Sequence, residues 1–521
     1  MELPLGLESL YEQLSQAQQS QISGLLREGL ADEAELEHEL DAVLSFVRDL
    51  QDLLGRRKNN NYVLASFLSP IRRLPVEIMA EIFEQCVRVD SAKLDYFSTN
   101  SQVAPLLLLN VCSWWRKICL GSPRLWTNLT FRANEYRDSF DPGNLLARSG
   151  QAPLNVTLNP TVSPNYRDRE GPPSYVLHTI LRSDRFVAGV KTLAIPSGAV
   201  PVYAELLQPM QHFTQLTTLA LNLCRYQARN MDRGDTLETF SNAPLLTSLD
   251  LTLSRSPPPG DTASYAVYFP WGQLTHLGLA FESADWVGSW PMPLLLNILR
   301  RCQLVTHLTL GRLIPFPFAS TYPVCHLPAV KTLVLNNNST MILPFLAVPG
   351  VQELVADNAH WDPENFASLK ANSGLTKLRV LDFCHLDPTS TQSVLRILFT
   401  HDSTIEELRL PILNDEALVR SLIWLPNRSN NILPRLTYLW IGLTTREVMS
   451  DGGALFLQMV RSRVRLQTET IPRTSDGETR SFLVKVEAHI PAADWSDAVA
   501  EAKLELLHCG VLLLPGISIN L

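Results

Sequence analysis

Leu246-Thr247-Ser248-Leu249-Asp250-Leu251 sets apolar residues at the first, fourth and sixth places of a six-residue stretch. The last three places alternate apolar and polar, the period of a strand with one face buried. The spacing recurs upstream at Val190/Leu193/Ile195 and Leu216/Leu219/Leu221. Downstream it recurs at Leu274/Leu277/Leu279, Val305/Leu308/Leu310, Val330/Leu333/Leu335 and Val351/Leu354/Ala356. It continues at Leu378/Leu381/Phe383, Ile405/Leu408/Leu410 and Leu436/Leu439/Ile441, so leucine holds the middle place in all ten frames. Successive frames are 21 to 31 residues apart. A unit of that size cannot bury its own apolar face, so stacking of units must make the core.

Steps of this length are close to the roughly 20–29 residues of leucine-rich repeats, which the region resembles. The resemblance implies an irregular α/β solenoid over 186–521, with strands from the frames and helices from the segments between. Helical spacing predicts such helices at Leu294–Arg301, Ser390–Thr400, Asp415–Leu425 and Gly453–Arg461. A strand at Phe482–Ile490, a helix from Ala492 to Leu507 and a strand at Val511–Leu521 are expected to cap the array. Gln227–Thr236 and Pro257–Pro259 read as projecting loops.

With the leucines inward, the alternate residues line the other face of the sheet, the concave face of a solenoid. Early units carry Thr218, Asp250, His276 and His307 there; later ones carry Glu353, Asp357, Asp382, Glu407, Arg409, Tyr438 and Trp440. Acidic groups followed by two aromatics suit a basic peptide segment of a protein substrate. The same residues also read as an ordinary solvated sheet face, and both readings stand at this point.

Upstream, Leu36, Leu40, Val43, Val47, Leu50 and Leu54 follow the alternating four-three spacing of a coiled-coil seam. An earlier seam, Leu3, Leu7, Leu10, Leu14 and Ala17, is set apart by Gly24 and Gly29. The helix either packs back on its own chain or forms a homodimer. Arg56-Arg57-Lys58 suits a helix C-terminus, and Asn59-Asn60-Asn61 reads as a break.

Ser69-Pro70-Ile71-Arg72-Arg73-Leu74-Pro75-Val76-Glu77-Ile78 follows, a helix start with proline ahead of an acidic first turn. Ile78, Ile82 and Cys86 then recur at every fourth residue, with Phe83 and Val87 beside them. After a polar stretch, a second helix is expected with Val111, Trp115, Ile118 and Cys119 on one face. It ends at Gly121-Ser122-Pro123, and Leu125-Trp126 adds an apolar plug. The series Leu74-Pro75-x-Glu77-Ile78, Ile82-Phe83, Val111-Cys112-x-x-Trp115-Arg116 and Ser122-Pro123-x-Leu125-Trp126 resembles an F-box of the fungal type, over roughly 66–131. The stretch Val87–Leu106 is longer and more polar than the compact family form.

This resemblance implies docking onto a Skp-type adaptor, and through it a cullin, by Leu74, Pro75, Ile78, Ile82, Phe83, Val111, Trp115, Leu125 and Trp126, which match adaptor-facing or hairpin-core positions of the family. It further implies the substrate-recognition subunit of an SCF-type ubiquitin ligase. Such a subunit contributes proximity, while the chemistry belongs to its partners. The alternative is a scaffold that uses the same modules without ubiquitin transfer. The expected organisation is a helical segment at 1–60, the F-box at 66–131, a linker and first-repeat region at 132–185, and the repeat domain at 186–521.

Bulk properties agree with an intracellular protein-binding role. The chain has 521 residues, 45% hydrophobic and 18% charged, which suits several folded units. A net charge of -8 argues against non-specific binding of nucleic acid or an anionic membrane. Apolar runs are too short to span a bilayer and the N-terminus lacks a secretory pattern. A cytoplasmic or nuclear location is therefore expected, and the sequons at Asn128, Asn155, Asn338 and Asn427 carry little weight. Eight scattered cysteines without a CxxC pair read as reduced thiols, and no metal or cofactor is expected. No phosphate loop, G-x-S-x-G elbow, HExxH or dinucleotide fingerprint occurs, so the chain is not expected to be an enzyme.

Overall fold

The computed structural model describes residues 16–93, 105–132, 142–159, 180–195, 212–223, 238–253, 268–281, 292–311, 322–357, 362–385, 404–412, 416–425, 431–442, 451–463, 485–490 and 511–515. It is mixed α/β, a long N-terminal helix followed by a large parallel sheet. The chain divides into two compact units, Met1–Gln85 and Cys86–Leu521.

The first unit is dominated by α1, Gln16–Leu68, a helix of 53 residues. It runs through Gly24, Gly29 and Asn59-Asn60-Asn61, so the expected break is absent. Asparagine costs a helix only about 0.7 kcal/mol per residue relative to alanine, less than the cost of ending and renucleating the helix. Arg56-Arg57-Lys58 consequently lies inside the helix, whose last turn holds no basic residue. Every residue from 17 to 68 is exposed, the Leu36–Leu54 seam included. Of the weaker seam, Leu3, Leu7, Leu10 and Leu14 lie outside the described residues.

A short 3-10 turn, Pro70–Arg73, leads into α2, Val76–Lys93, which crosses from the first unit into the second. The row that α2 buries is Met79, Phe83 and Val87. The expected stripe Ile78, Ile82 and Cys86 lies one position round the helix and is exposed. Both rows have a period of four, so spacing alone could not choose between them.

In the second unit, α3 spans Leu106–Leu109 and α4 spans Ser113–Gly121. Val111 is in the turn between them rather than on the second helix. From here the chain lays down strands β1 (Asn128–Arg132), β2 (Leu154–Asn159), β3 (Val190–Ile195), β4 (Thr218–Leu223), β5 (Ser248–Leu253), β6 (His276–Phe281) and β7 (His307–Leu310). After β8 (Cys325–His326) come β9 (Thr332–Asn336), β10 (Leu346–Ala347), β11 (Glu353–Asp357) and β12 (Val380–His385). The last four are β13 (Glu407–Ile412), β14 (Tyr438–Gly442), β15 (Lys485–Ile490) and β16 (Val511–Pro515). Among the described residues β8 and β10 pair with each other, and the other strands form one 14-stranded sheet in sequence order. Each neighbouring pair in it is parallel.

The register puts all ten middle leucines in one row: Leu193, Leu219, Leu249, Leu277, Leu308, Leu333, Leu354, Leu381, Leu408 and Leu439. Leu129 and Val156 extend the row at one end, Val486 and Val511 at the other. β1 begins inside the span 66–131, and β2 lies in the region 132–185 expected to hold a linker and first repeat. The C-terminal strands continue the array in parallel; the helix expected at 492–507 lies outside the described residues.

All ten leucines and the apolar residue three places before each are buried in one continuous core. A phenylalanine spine packs behind the early strands, Phe213 on Phe240 at 5.1 Å and Phe240 on Phe269 at 6.3 Å between ring centroids. Helices Met292–Arg301, Glu416–Leu422 and Asp451–Arg463 lie where helical spacing predicts them. Pro363–Ser373 is a further helix, started by Asp362 accepting from the Glu364 N–H at 2.9 Å and ended by Gly374 at φ +71. The predicted helix Ser390–Thr400 and the loops Gln227–Thr236 and Pro257–Pro259 lie outside the described residues.

Candidate functional site

Two surfaces hold the residues singled out by sequence. In the first unit, Leu74 closes the 3-10 turn with its N–H donating to the Ile71 carbonyl at 3.3 Å, and it is half-buried. Pro75 is exposed and opens α2, its carbonyl accepting from the Met79 N–H at 3.1 Å. Along α2, Ile78 and Ile82 are 50% and 39% exposed while Met79 and Phe83 are 0% and 1% exposed. α2 thus has two apolar faces, one inside and one in water. Exposed isoleucines at i and i+4 on one helix are the repeat that a groove on another protein reads.

In the second unit, the Cys112 thiol caps α4, accepting from the Trp115 N–H at 3.5 Å. Arg116 Nε donates to the Leu109 carbonyl at 2.9 Å and so ties α4 back to α3. Ile118 and Cys119 are buried, and burial pushes the Cys119 thiol up to about 11, so it is no nucleophile at neutral pH. Trp126 Nε1 donates at 2.9 Å to the Cys119 carbonyl, which also accepts from the Ser122 N–H at 3.4 Å at the helix end, and Arg148 lies over the Trp126 ring at 4.7 Å. Leu125 and Trp126 are interior residues, as Phe83 is in α2. Of the nine residues matched to the family, these three hold the fold together. Val111 is exposed and Trp115 half-buried, beside exposed Leu106, Leu107 and Leu120 that sequence reading missed.

The second surface is the polar face of the sheet, where outward residues form two rows. One row reads Thr192, Thr218, Ser248, His276, His307, Thr332, Glu353, Val380, Glu407, Tyr438. The other holds Asp250, Gly278, Thr309, Val334, Val355, Asp382, Arg409 and Trp440 in register. The supposed patch is therefore real as a juxtaposition: Glu353, Asp382, Glu407, Arg409, Tyr438 and Trp440 sit on consecutive strands, with Asp357 at the far end of β11.

Its charge is less simple than the sequence implied. Arg409 Nη1 meets Asp382 Oδ2 at 3.0 Å, its Nη2 lies 3.7 Å from Glu407 Oε2, and its guanidinium lies 5.7 Å from the Tyr438 ring centre. Burial lowers the Arg409 pKa, but Asp382 chiefly, with Tyr438 and Glu407, outweighs it and holds the guanidinium above its ordinary value. Two of the four carboxylates, buried Asp382 and part-exposed Glu407, are thus paired with Arg409. Glu353 accepts from Thr332 Oγ1 at 3.2 Å.

His276 and His307 stack with centroids 4.3 Å apart and planes 7° from parallel. Each ring Nδ1 pairs with the hydroxyl of the threonine before it, Thr275 and Thr306, at 2.9 Å. Partial burial lowers the His307 pKa, and His276 and Lys331 add to this while Glu353 opposes them. Asp250 leans into the space over Gly278, where a Cβ would overlap its carboxylate. Shielding there raises its carboxyl pKa, and His276 opposes the rise. No group of three or more metal-binding side chains occurs among the described residues.

No family model matches the chain, and no curated protein matches it either.

A signal passed over in the frames is their second place. Threonine fills it in five of ten, Thr217, Thr247, Thr275, Thr306 and Thr437. Backbone N–H groups at this place donate strand to strand, from Thr217 to the Lys191 carbonyl through to Thr437 and the Glu406 carbonyl, at 2.7–3.0 Å. The threonine hydroxyls add bonds of 3.0–3.4 Å to the same carbonyls. This row runs along the edge where the ten frame strands begin.

Proposed function

We propose that the chain is the substrate-recognition subunit of an SCF-type ubiquitin ligase, docking through an F-box on a Skp-type adaptor, and through it a cullin, and holding a protein substrate on a leucine-rich-repeat-like solenoid. The observation that carries the docking half is the second apolar face of α2. Pro75 and Ile78 of the Leu-Pro-x-Glu-Ile motif, and Ile82 one turn further on, stand in water, while Met79 and Phe83 are buried. In the second unit Val111 of the motif is also exposed. The unbroken leucine row and sequential parallel strands support the solenoid. The face bearing Glu353, Asp357, Asp382, Glu407, Arg409, Tyr438 and Trp440 is the substrate surface in this reading, an aromatic and mixed-charge one. The chain itself carries out no chemistry.

The test is capture of a purified Skp-type adaptor by the full-length chain, wild type against Leu74→Ala/Pro75→Ala and against Ile78→Asp. Micromolar or tighter binding by the wild type, weakened at least about tenfold in both variants, is expected, since truncating a central docking residue costs about 2 kcal/mol or more and tenfold is about 1.4 kcal/mol. Folded wild-type chain that does not bind would end the reading. Adaptor binding without cullin recruitment or ubiquitin transfer would point to the scaffold alternative.

A further inference from the structure

We infer that α1 is the half-site of an antiparallel homodimer whose two-fold axis passes beside Ser45. The helix is long enough to reach about 80 Å at 1.5 Å per residue. It keeps Ile22, Leu26, Leu36, Leu40, Val43, Val47, Leu50, Leu54, Leu64 and Leu68 between 41% and 73% exposed. A helix that leaves such a row in water needs a partner to cover it.

Because the helix is continuous, the four-three seam continues beyond Leu36–Leu54 in both directions. Upstream it takes Glu33, Gly29, Leu26 and Ile22; downstream it takes Arg57, Asn61, Leu64 and Leu68. These positions mirror each other about residue 45. Val43 faces Val47 of a second, antiparallel copy, Leu40 faces Leu50, Leu36 faces Leu54, Leu26 faces Leu64 and Ile22 faces Leu68. The polar interruptions also coincide. Glu33 meets Arg57, and Asn61 falls opposite Gly29, where space is available. A parallel pair in the same seam would set Glu33 against Glu33 and Arg57 against Arg57.

The flanks favour the same direction. Residues 28–41 carry seven carboxylates and no lysine or arginine. Antiparallel pairing lays them beside residues 49–62, where Arg56, Arg57 and Lys58 outnumber Asp49 and Asp52. Parallel pairing would lay seven carboxylates beside seven. Charge complementarity of this kind sets partner orientation in coiled coils, and a self-complementary patch closes as a two-fold dimer. The occupant is therefore a second copy of this chain, and the inference does not depend on what the sheet binds.

Sedimentation equilibrium on the full-length chain tests it, with Glu33→Arg, Arg57→Glu, the double variant, and an equimolar mixture of the two single variants. The wild type is expected to be a dimer. Each charge reversal sets like charges in two layers and should weaken self-association by about tenfold or more. The double variant, and the mixture as a heterodimer, should recover it. Both substitutions are on exposed positions, so circular dichroism should be unchanged. A monomer at tens of micromolar, a dimer indifferent to the single reversals, or weakening without rescue would each overturn the antiparallel pairing.

Discussion

Arg409 reaches from β13 to Asp382 on β12, Nη1 to Oδ2 at 3.0 Å, and so places a cation in the middle of what reads in sequence as an acidic patch. Asp382 is buried among the strands while Arg409 keeps part of its side chain in water. Removing the arginine alone leaves a shielded carboxylate poorly compensated. Arg409→Met should destabilise the protein, and Asp382→Asn/Arg409→Met should recover part of the loss. A double-mutant cycle from urea unfolding is expected to give a coupling of about 1–2 kcal/mol, discounted for the exposure of Arg409. A coupling near zero would show the pair to be incidental.

Trp126 is 1% exposed and spends its N–H on the Cys119 carbonyl. Trp126→Ala should cost about 3–5 kcal/mol, as a large-to-small change in a filled interior does. Trp126→Phe, which keeps most of the bulk but loses the donor, should cost clearly less. Thermal melts of the two variants make the comparison, and equal costs would show that the hydrogen bond, not the packing, dominates.

Arg463 is buried at the end of helix Asp451–Arg463, donating to the carbonyls of Leu422, Ile432 and Leu433 at 2.6–2.9 Å. Leu433 holds a φ of +50, a strained conformation for leucine that turns its carbonyl into this network. Arg463→Met should destabilise the region by about 3 kcal/mol, since three bonds to a charged donor are lost at once. Hydrogen exchange read by mass spectrometry should speed up over residues 416–463 and leave residues 128–159 unchanged. Uniform acceleration across the sheet would contradict a local clamp.

His307 offers a pH test. Its pKa lies below the ordinary 6.5 because of partial burial, then His276 and Lys331, with Glu353 opposing. A depressed folded value means the unfolded chain takes up the proton first, so stability is full above about pH 6.5 and falls as the pH drops through the folded pKa. His276→Ala removes a stacked neighbour and should move the His307 titration upward, as followed by imidazole NMR shifts. A downward move, or stability that rises on acidification through this window in the wild type but not in His307→Ala, would reverse the assigned sign.

Much of the sheet was legible in the chain. Leucine at the middle of ten frames has one physical meaning, a face that must be buried by like units, and the register makes that face a single row. β15 and β16 fall within the strands expected at Phe482–Ile490 and Val511–Leu521, whereas β1 and β2 lie outside the ten frames, their places in the row held by Leu129 and Val156. On α2 the period was right and the phase was not. Met79 and Ile78 are both apolar, and only the packing tells which one faces inward.

By itself the sequence determined the positions of the ten frame strands, the leucine row and the four-three seam, because each depends on spacing along one element and on the aversion of its side chains to water. Tertiary structure alone decided which residues met across elements. It turned Asp382 toward Arg409, stacked His276 on His307, sent Phe83, Leu125 and Trp126 inside, and left Ile78 and Ile82 in water. Those outcomes depend on register and packing between segments some thirty residues apart or on which face of a helix is covered, and no local pattern carries that information.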